Sequence, residues 1–175
     1  MYMKKTWLLL LFFVFYPHLF AQSTEVEINK IIPDPETGEP MLIGYFTREA
    51  LSDTNFFKWF NPEYESYIPD SSSIASLKDK MNKVDITIAT GTWCSDSKEE
   101  IPHFFKLLDA LDYPTDKITL IAVDHEKKTE GSEIDGLGIE LSPTIIFYHD
   151  DSEVGRIVER PYESLEKDML KILTE

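Results

Sequence analysis

The chain of 175 residues contains a single cysteine, Cys94. One thiol excludes an internal disulfide framework and any structural zinc site built on several thiolates. Basic residues are scarce too: 17 Lys and Arg stand against 32 Asp and Glu, a net charge of −15. Phosphate recognition runs on clustered Lys and Arg, and no such cluster occurs, so a broad nucleic-acid surface is excluded. Glycine is rare, with seven residues, which rules out a fibrous or low-complexity chain. No apolar run reaches the ~20 residues that a membrane-spanning helix needs. Gly-rich phosphate loops, a G-x-S-x-G elbow and paired-histidine metal spacings are absent. His103, His125 and His149 are scattered over different elements, Asp124-His125-Glu126 reads as a solvated turn, and no motif asks for a metal or other cofactor.

Hydrophobic residues make up 42% and aromatics 13%, enough for one folded domain with an extension. Lys4 and Lys5 precede an apolar run from Trp7 to Tyr16, followed by Pro17 and Leu19-Phe20-Ala21. A short basic stretch, a short apolar run and a small residue at its end match a secretory signal, with cleavage expected after Ala21. Residues 1–21 are therefore expected to direct export to the periplasm or medium, and no Cys follows to carry a lipid. Loss of two lysines and no acids leaves the mature chain more acidic still.

Residues 22–73 read as an N-terminal extension. Pro33, Pro35, Gly38 and Pro40 make 22–40 an exposed lead-in without long regular elements. A short strand spans Met41 to Phe46, and a helix opens near Thr47. Phe56, Phe57, Trp59, Phe60, Tyr64 and Tyr67 form an aromatic segment. It suits a packing face, with a sugar or peptide groove as the alternative. Residues 74–175 read as the main domain. A helix from Ile74 to about Asn82 leads to a strand, Val84 to Thr90. The next helix runs from about Ser97 to Leu111, with Ile101, Phe104, Phe105, Leu108 and Leu111 on one stripe and a kink at Pro102. A buried strand covers Ile118 to Val123. The charged connection Asp124 to Gly136 is expected to be partly helical. Thr144–Tyr148 and Glu153–Val158 form an antiparallel hairpin, and a final helix begins after Pro161. The order predicts an α/β fold with a mixed sheet.

Trp93-Cys94 lies between a buried strand and a helix N-terminus, where unpaired N–H groups and the helix dipole favour a thiolate. Ser97 is spaced to donate to it, while the Asp96 carboxylate opposes a second negative charge. The alternative is a small apolar residue at a helix start, with Ser97 and Glu100 as an S-x-x-E capping box.

The run Gly91-Thr92-Trp93-Cys94-Ser95-Asp96-Ser97 resembles the W-C-x-x-C turn of the thioredoxin family, with Ser97 in place of the second Cys. Pro102 matches the kink of that family's active helix. Leu137-Gly138-Ile139-Glu140-Leu141-Ser142-Pro143-Thr144 resembles its Y-G-I-x-x-x-P-T run, and Glu153 to Val158 its last hairpin strand. The chain also resembles exported thioredoxin-like proteins of Bacteroidetes type with a G-T-W-C-x-D-S turn. The resemblance covers Ile74 to Glu175 and implies a three-layer sandwich with a mixed central sheet. It also implies a cis Ser142-Pro143 bond facing Cys94. Cys94 and Ser97 then take the catalytic positions; Trp93, Ser95, Asp96, Ser142 and Pro143 line the substrate groove.

Two departures bear on activity. Ser97 cannot resolve a mixed disulfide, so a dithiol cycle cannot close within the chain. Ile88 stands where many thioredoxins carry a buried acid, and Asp85 points to the opposite face of its strand. The expected function is monothiol redox chemistry with a thiol- or disulfide-containing protein or small thiol, aided by a redox partner. The alternative is a non-catalytic module that holds an extended peptide.

Overall fold

The computed structural model describes residues 27–174. The expected signal segment 1–21 and its cleavage point lie outside the described residues. Six strands form one mixed sheet: β1 (Lys30–Pro33), β2 (Pro40–Tyr45), β3 (Val84–Thr90), β4 (Ile118–Ala122), β5 (Thr144–His149) and β6 (Ser152–Val158). Their spatial order is β1-β2-β4-β3-β5-β6. Only β3 and β4 run parallel; the other neighbours are antiparallel. Four α-helices accompany them: α1 (Thr54–Ser66), α2 (Ser71–Lys80), α3 (Ser95–Ala110) and α4 (Leu165–Ile172). Among the described residues no helix is long and apolar enough to cross a membrane.

Strand alternation sorts the core. Leu42, Val84, Ile86, Ile88, Leu120, Ala122, Ile145 and Phe147 face one cluster, which Phe56, Leu77, Phe104 and Met169 complete from the four helices. The intervening Ile43, Ala89, Ile121 and Ile146 are buried on the other face. There the segment 124–141 crosses the sheet. Glu130 in it accepts from Lys30 of β1, and its Leu137 and Gly138 carbonyls accept from Arg156 of β6 at 3.0 and 3.3 Å.

The aromatic segment forms α1, and most of it packs. Phe60 meets Phe105 of α3 at 6.0 Å and stacks on Tyr64 at 6.0 Å, while Phe57 stays outside, 49% exposed. Arg48 clamps the junction through a two-pronged bond to Asp109, at 2.7 and 2.6 Å, and Tyr64 Oη donates to the same carboxylate at 2.6 Å. Burial opposes the Asp109 charge, yet Arg48 and Tyr64 outweigh it and hold the carboxyl below its usual range.

Several boundaries differ from the sequence reading. The lead-in contributes β1, paired edge to edge with β2, because the prolines at 33 and 40 fall at strand ends where a missing N–H is tolerated. The connection 124–136 is not helical. Asp124 accepts from the N–H groups of Glu126 (2.8 Å) and Lys128 (2.9 Å), a side-chain turn that competes with helix formation. α4 starts at Leu165 rather than after Pro161, since Ser164 caps it by accepting from Lys167 N–H at 3.3 Å. α3 starts at Ser95, two residues early, with Cys94 itself at the N-cap. The hairpin turn is as read, and Asp150 and Asp151 both have positive φ.

Candidate functional site

Cys94 leaves the C-terminal end of β3 through Gly91-Thr92-Trp93. Its N–H donates to Gly91 O at 3.0 Å, and its carbonyl accepts from Lys98 N–H at 3.0 Å as α3 begins. The turn needs glycine at 91, because a Cβ there would lie 2.5 Å from the Trp93 ring. Thr92 is buried, and its hydroxyl accepts from Leu42 N–H at 3.1 Å, which ties the turn to β2.

The thiol is half-buried and free. It donates to the carbonyl of Ser142 at 3.1 Å, and the Ser142–Pro143 bond is cis. The Ser142 hydroxyl accepts from Gly91 N–H at 2.7 Å and lies 3.0 Å from the Ser97 hydroxyl. Ser97 and Ser142 are both buried. Ser97 therefore serves the 142–143 loop and makes no hydrogen bond to the Cys94 thiol, contrary to the expected donation. A capping box of Ser97 and Glu100 does not form either, because the helix starts two residues before Ser97.

Asp96 is neutralised by a partner that its neighbourhood in sequence does not contain. Arg160 donates to it through Nε and Nη2 at 3.1 and 2.8 Å, and to Glu99 at 2.8 Å. Glu100 is buried one turn further along α3 and makes no hydrogen bond among the described residues. Burial, reinforced by Glu99 and Asp96 and opposed by Arg160, pushes its carboxyl up to about 7. Ser95 is exposed at the start of α3. Asp85 is exposed on β3, as its spacing requires, and contributes nothing here.

Trp93 turns away from the 142–143 loop. Its indole N–H donates to Val123 O at 2.9 Å, and its ring stacks on His125 at 4.0 Å. His125 is not a solvated residue: its Nε2 lies 3.0 Å from Asp34, which is 3% exposed. Burial works against the Asp34 charge, but the Glu36 N–H, His125 and Thr37 overcome it and hold the carboxyl below its usual range. A cleft of about 290 Å³ opens in front of this stack, between the β1–β2 turn, α1 and α3. Trp59 lines it, so one member of the aromatic segment does face a groove.

Of the residues the resemblance groups, Cys94, Ser97, Ser142 and Pro143 meet, whereas the Trp93 ring lies on the His125 side; sequence reasoning missed Asp34, His125 and Arg160. These lie 60, 31 and 66 positions from Cys94, and no periodicity or local motif marks them. Among the described residues no group of three or more His, Cys, Asp or Glu side chains is placed to hold a metal ion.

The fold and site define a mixed α/β protein with one thiol at a strand-to-helix turn, bonded to the carbonyl of a cis-proline loop. No protein-family model and no curated protein matches the chain. Among solved structures, the chain is similar to a protein of unknown function from Pseudomonas aeruginosa. That likeness has 15% identity and a TM-score of 0.41, over 67% of this chain and 78% of the other. It is also similar to an HIV epitope-scaffold, at 15% identity and a TM-score of 0.43, over 67% of this chain and 79% of the scaffold.

Proposed function

We propose that the chain is an exported protein of thioredoxin-like fold whose Cys94 performs monothiol exchange. The observation that carries this reading is the 3.1 Å contact of the Cys94 thiol with the Ser142 carbonyl, at a cis X-Pro bond 48 positions away. The β3–α3–β4 parallel unit, the β5–β6 hairpin and α4 follow in the order that the sequence resemblance implies. In this reading the 22–73 extension adds β1 and β2 to the sheet, and 124–141 covers its second face.

The chemistry is a two-electron exchange. The Cys94 thiolate attacks one sulfur of a disulfide R–S–S–R′, forms Cys94–S–S–R and releases R′–S⁻, which takes up a proton. A second thiolate from outside the chain, R″–S⁻, then attacks the R sulfur of the mixed disulfide, forms R–S–S–R″ and releases the Cys94 thiolate. The N-cap position and the α3 dipole assist the first step. A binding module for extended peptide or protein partners is the second reading, and two observations favour it. The thiol is engaged as a donor, a bond the thiolate cannot make. The Ser97 hydroxyl is turned to Ser142 instead.

Incubation with a small symmetrical disulfide, followed by intact mass, tests the proposal. The expected product is a single adduct, removed by added thiol and absent in Cys94→Ser. If the parent forms no adduct while its thiol still reacts with an alkylating reagent, the binding-module reading replaces this one.

A further inference from the structure

The cleft in front of Trp93 has no part in the exchange chemistry, and it brings two unpaired lysines to one concave surface. Acids outnumber bases almost two to one; Lys30, Arg48, Lys78, Lys106, Lys128, Arg156, Arg160 and Lys167 each pair with a carboxylate, while the remaining lysines among the described residues do not. Lys58 of α1 and Lys98 of α3 both line the cleft, and neither has a carboxylate partner among the described residues. Two lysines that line one concave space, neither within salt-bridge distance of a carboxylate, offer a site for anionic groups.

The opposite rim carries Glu39, also without a cationic partner among the described residues. Asp34 on the floor offers no second free carboxylate, because His125 and the Glu36 N–H already occupy it. Trp59 adds an apolar wall. The complement of this set is a small molecule with two carboxylates, one ammonium group and a short aliphatic body. The volume of about 290 Å³ lies at the small end of ligand sites.

We propose that this cleft binds a peptide-type amino-dicarboxylate, with its carboxylates on Lys58 and Lys98, its ammonium on Glu39 and its aliphatic chain against Trp59. Cys94 itself does not line the cleft, and binding there does not depend on exchange at Cys94.

The probe is γ-glutamylglycine, which has the required charges and no sulfur, with glycylglycine as the comparison lacking one carboxylate. Titration calorimetry and the indole N–H resonances of Trp59 and Trp93 read binding to the whole protein. The expected result is one-to-one binding of γ-glutamylglycine, about tenfold tighter than glycylglycine, as the loss of one charge-assisted bond implies. Lys58→Gln and Lys98→Gln should each weaken it about tenfold, and Lys98→Arg should keep most of it. Cys94→Ser should bind as the parent does, which separates this site from the exchange reading. Equal affinity for the two peptides, indifference to both lysine substitutions, or loss of binding in Cys94→Ser would overturn the proposal. So would the absence of any indole shift.

Discussion

The hydroxyl of Ser97 lies 3.0 Å from that of Ser142, 45 positions later in the chain, and both are buried. Since Ser142 also accepts from Gly91 N–H, these two contacts join the start of α3, the turn after β3 and the cis-proline loop. Removing either hydroxyl leaves the other without its side-chain partner in a buried place, at a cost of about 1–2 kcal/mol. Ser97→Ala and Ser142→Ala should each lower stability by that amount in urea titrations. The double variant should lose less than the sum, because the shared bond is counted once. Strict additivity would show that the two hydroxyls do not act on each other.

The same geometry bears on conversion to a dithiol. Ser97→Cys places a second thiol one turn of α3 from Cys94, near the spacing a disulfide requires. It also exchanges the Ser97–Ser142 bond for a weaker sulfur contact, so some stability is lost. With an external reductant, Ser97→Cys should gain turnover in reducing insulin disulfides, while the parent stays at the uncatalysed rate. A parent as fast as the variant would mean that resolution needs no second thiol in the chain.

Gly91→Ala tests the turn itself. A Cβ at 2.5 Å from the indole forces Trp93 to move, and with it the His125 stack and the bond to Val123. The expected loss is roughly 2 kcal/mol or more, in the range of overpacked sites. Trp93 fluorescence should change alongside the lowered melting temperature. An unchanged emission spectrum at lower stability would locate the damage elsewhere in the turn.

Much of the site could be read from the sequence because it is local. The β-branched run 84–90, the Trp-Cys turn and the 3.6-residue stripe of α3 lie consecutively, and β3 and α3 formed within two residues of the expected bounds. Their meeting with Ser142-Pro143 is long-range, and it came from the family resemblance alone. β1 escaped notice because four residues ending in a proline have no period to detect, and only pairing with β2 makes them a strand. His125 sits among charged residues in sequence, yet burial against Trp93 and Asp34 decides its setting. The 124–136 connection has helix-forming residues but no apolar face, and Asp124 closes a turn instead.

Glu100 makes folding pH-dependent in a direction opposite to that of a paired carboxylate. Its carboxyl is buried, sits beside Glu99 and Asp96, and rises to about 7 from the ordinary 4.5; Arg160 offsets part of that. Between these values the folded chain holds a proton that the unfolded chain has released. Stability therefore falls as pH rises from about 4.5 to about 7, and the loss is complete above that range. A shift of this size, reduced for partial hydration, amounts to on the order of 2 kcal/mol. Asp34 and Asp109 act in the reverse sense. Their carboxyls lie below the ordinary value, so their contribution is lost only as pH falls beneath about 4. The two effects occupy different windows and can be separated. Urea titrations of the parent at pH 5 and pH 8 should show lower stability at pH 8, and Glu100→Gln should remove most of that difference. Arg160→Gln should enlarge it, since the one favourable charge beside Glu100 is then gone. If Glu100→Gln leaves the slope between pH 5 and pH 8 unchanged, another group sets it, and the buried carboxyl of α3 is ionised at less expense than its surroundings imply.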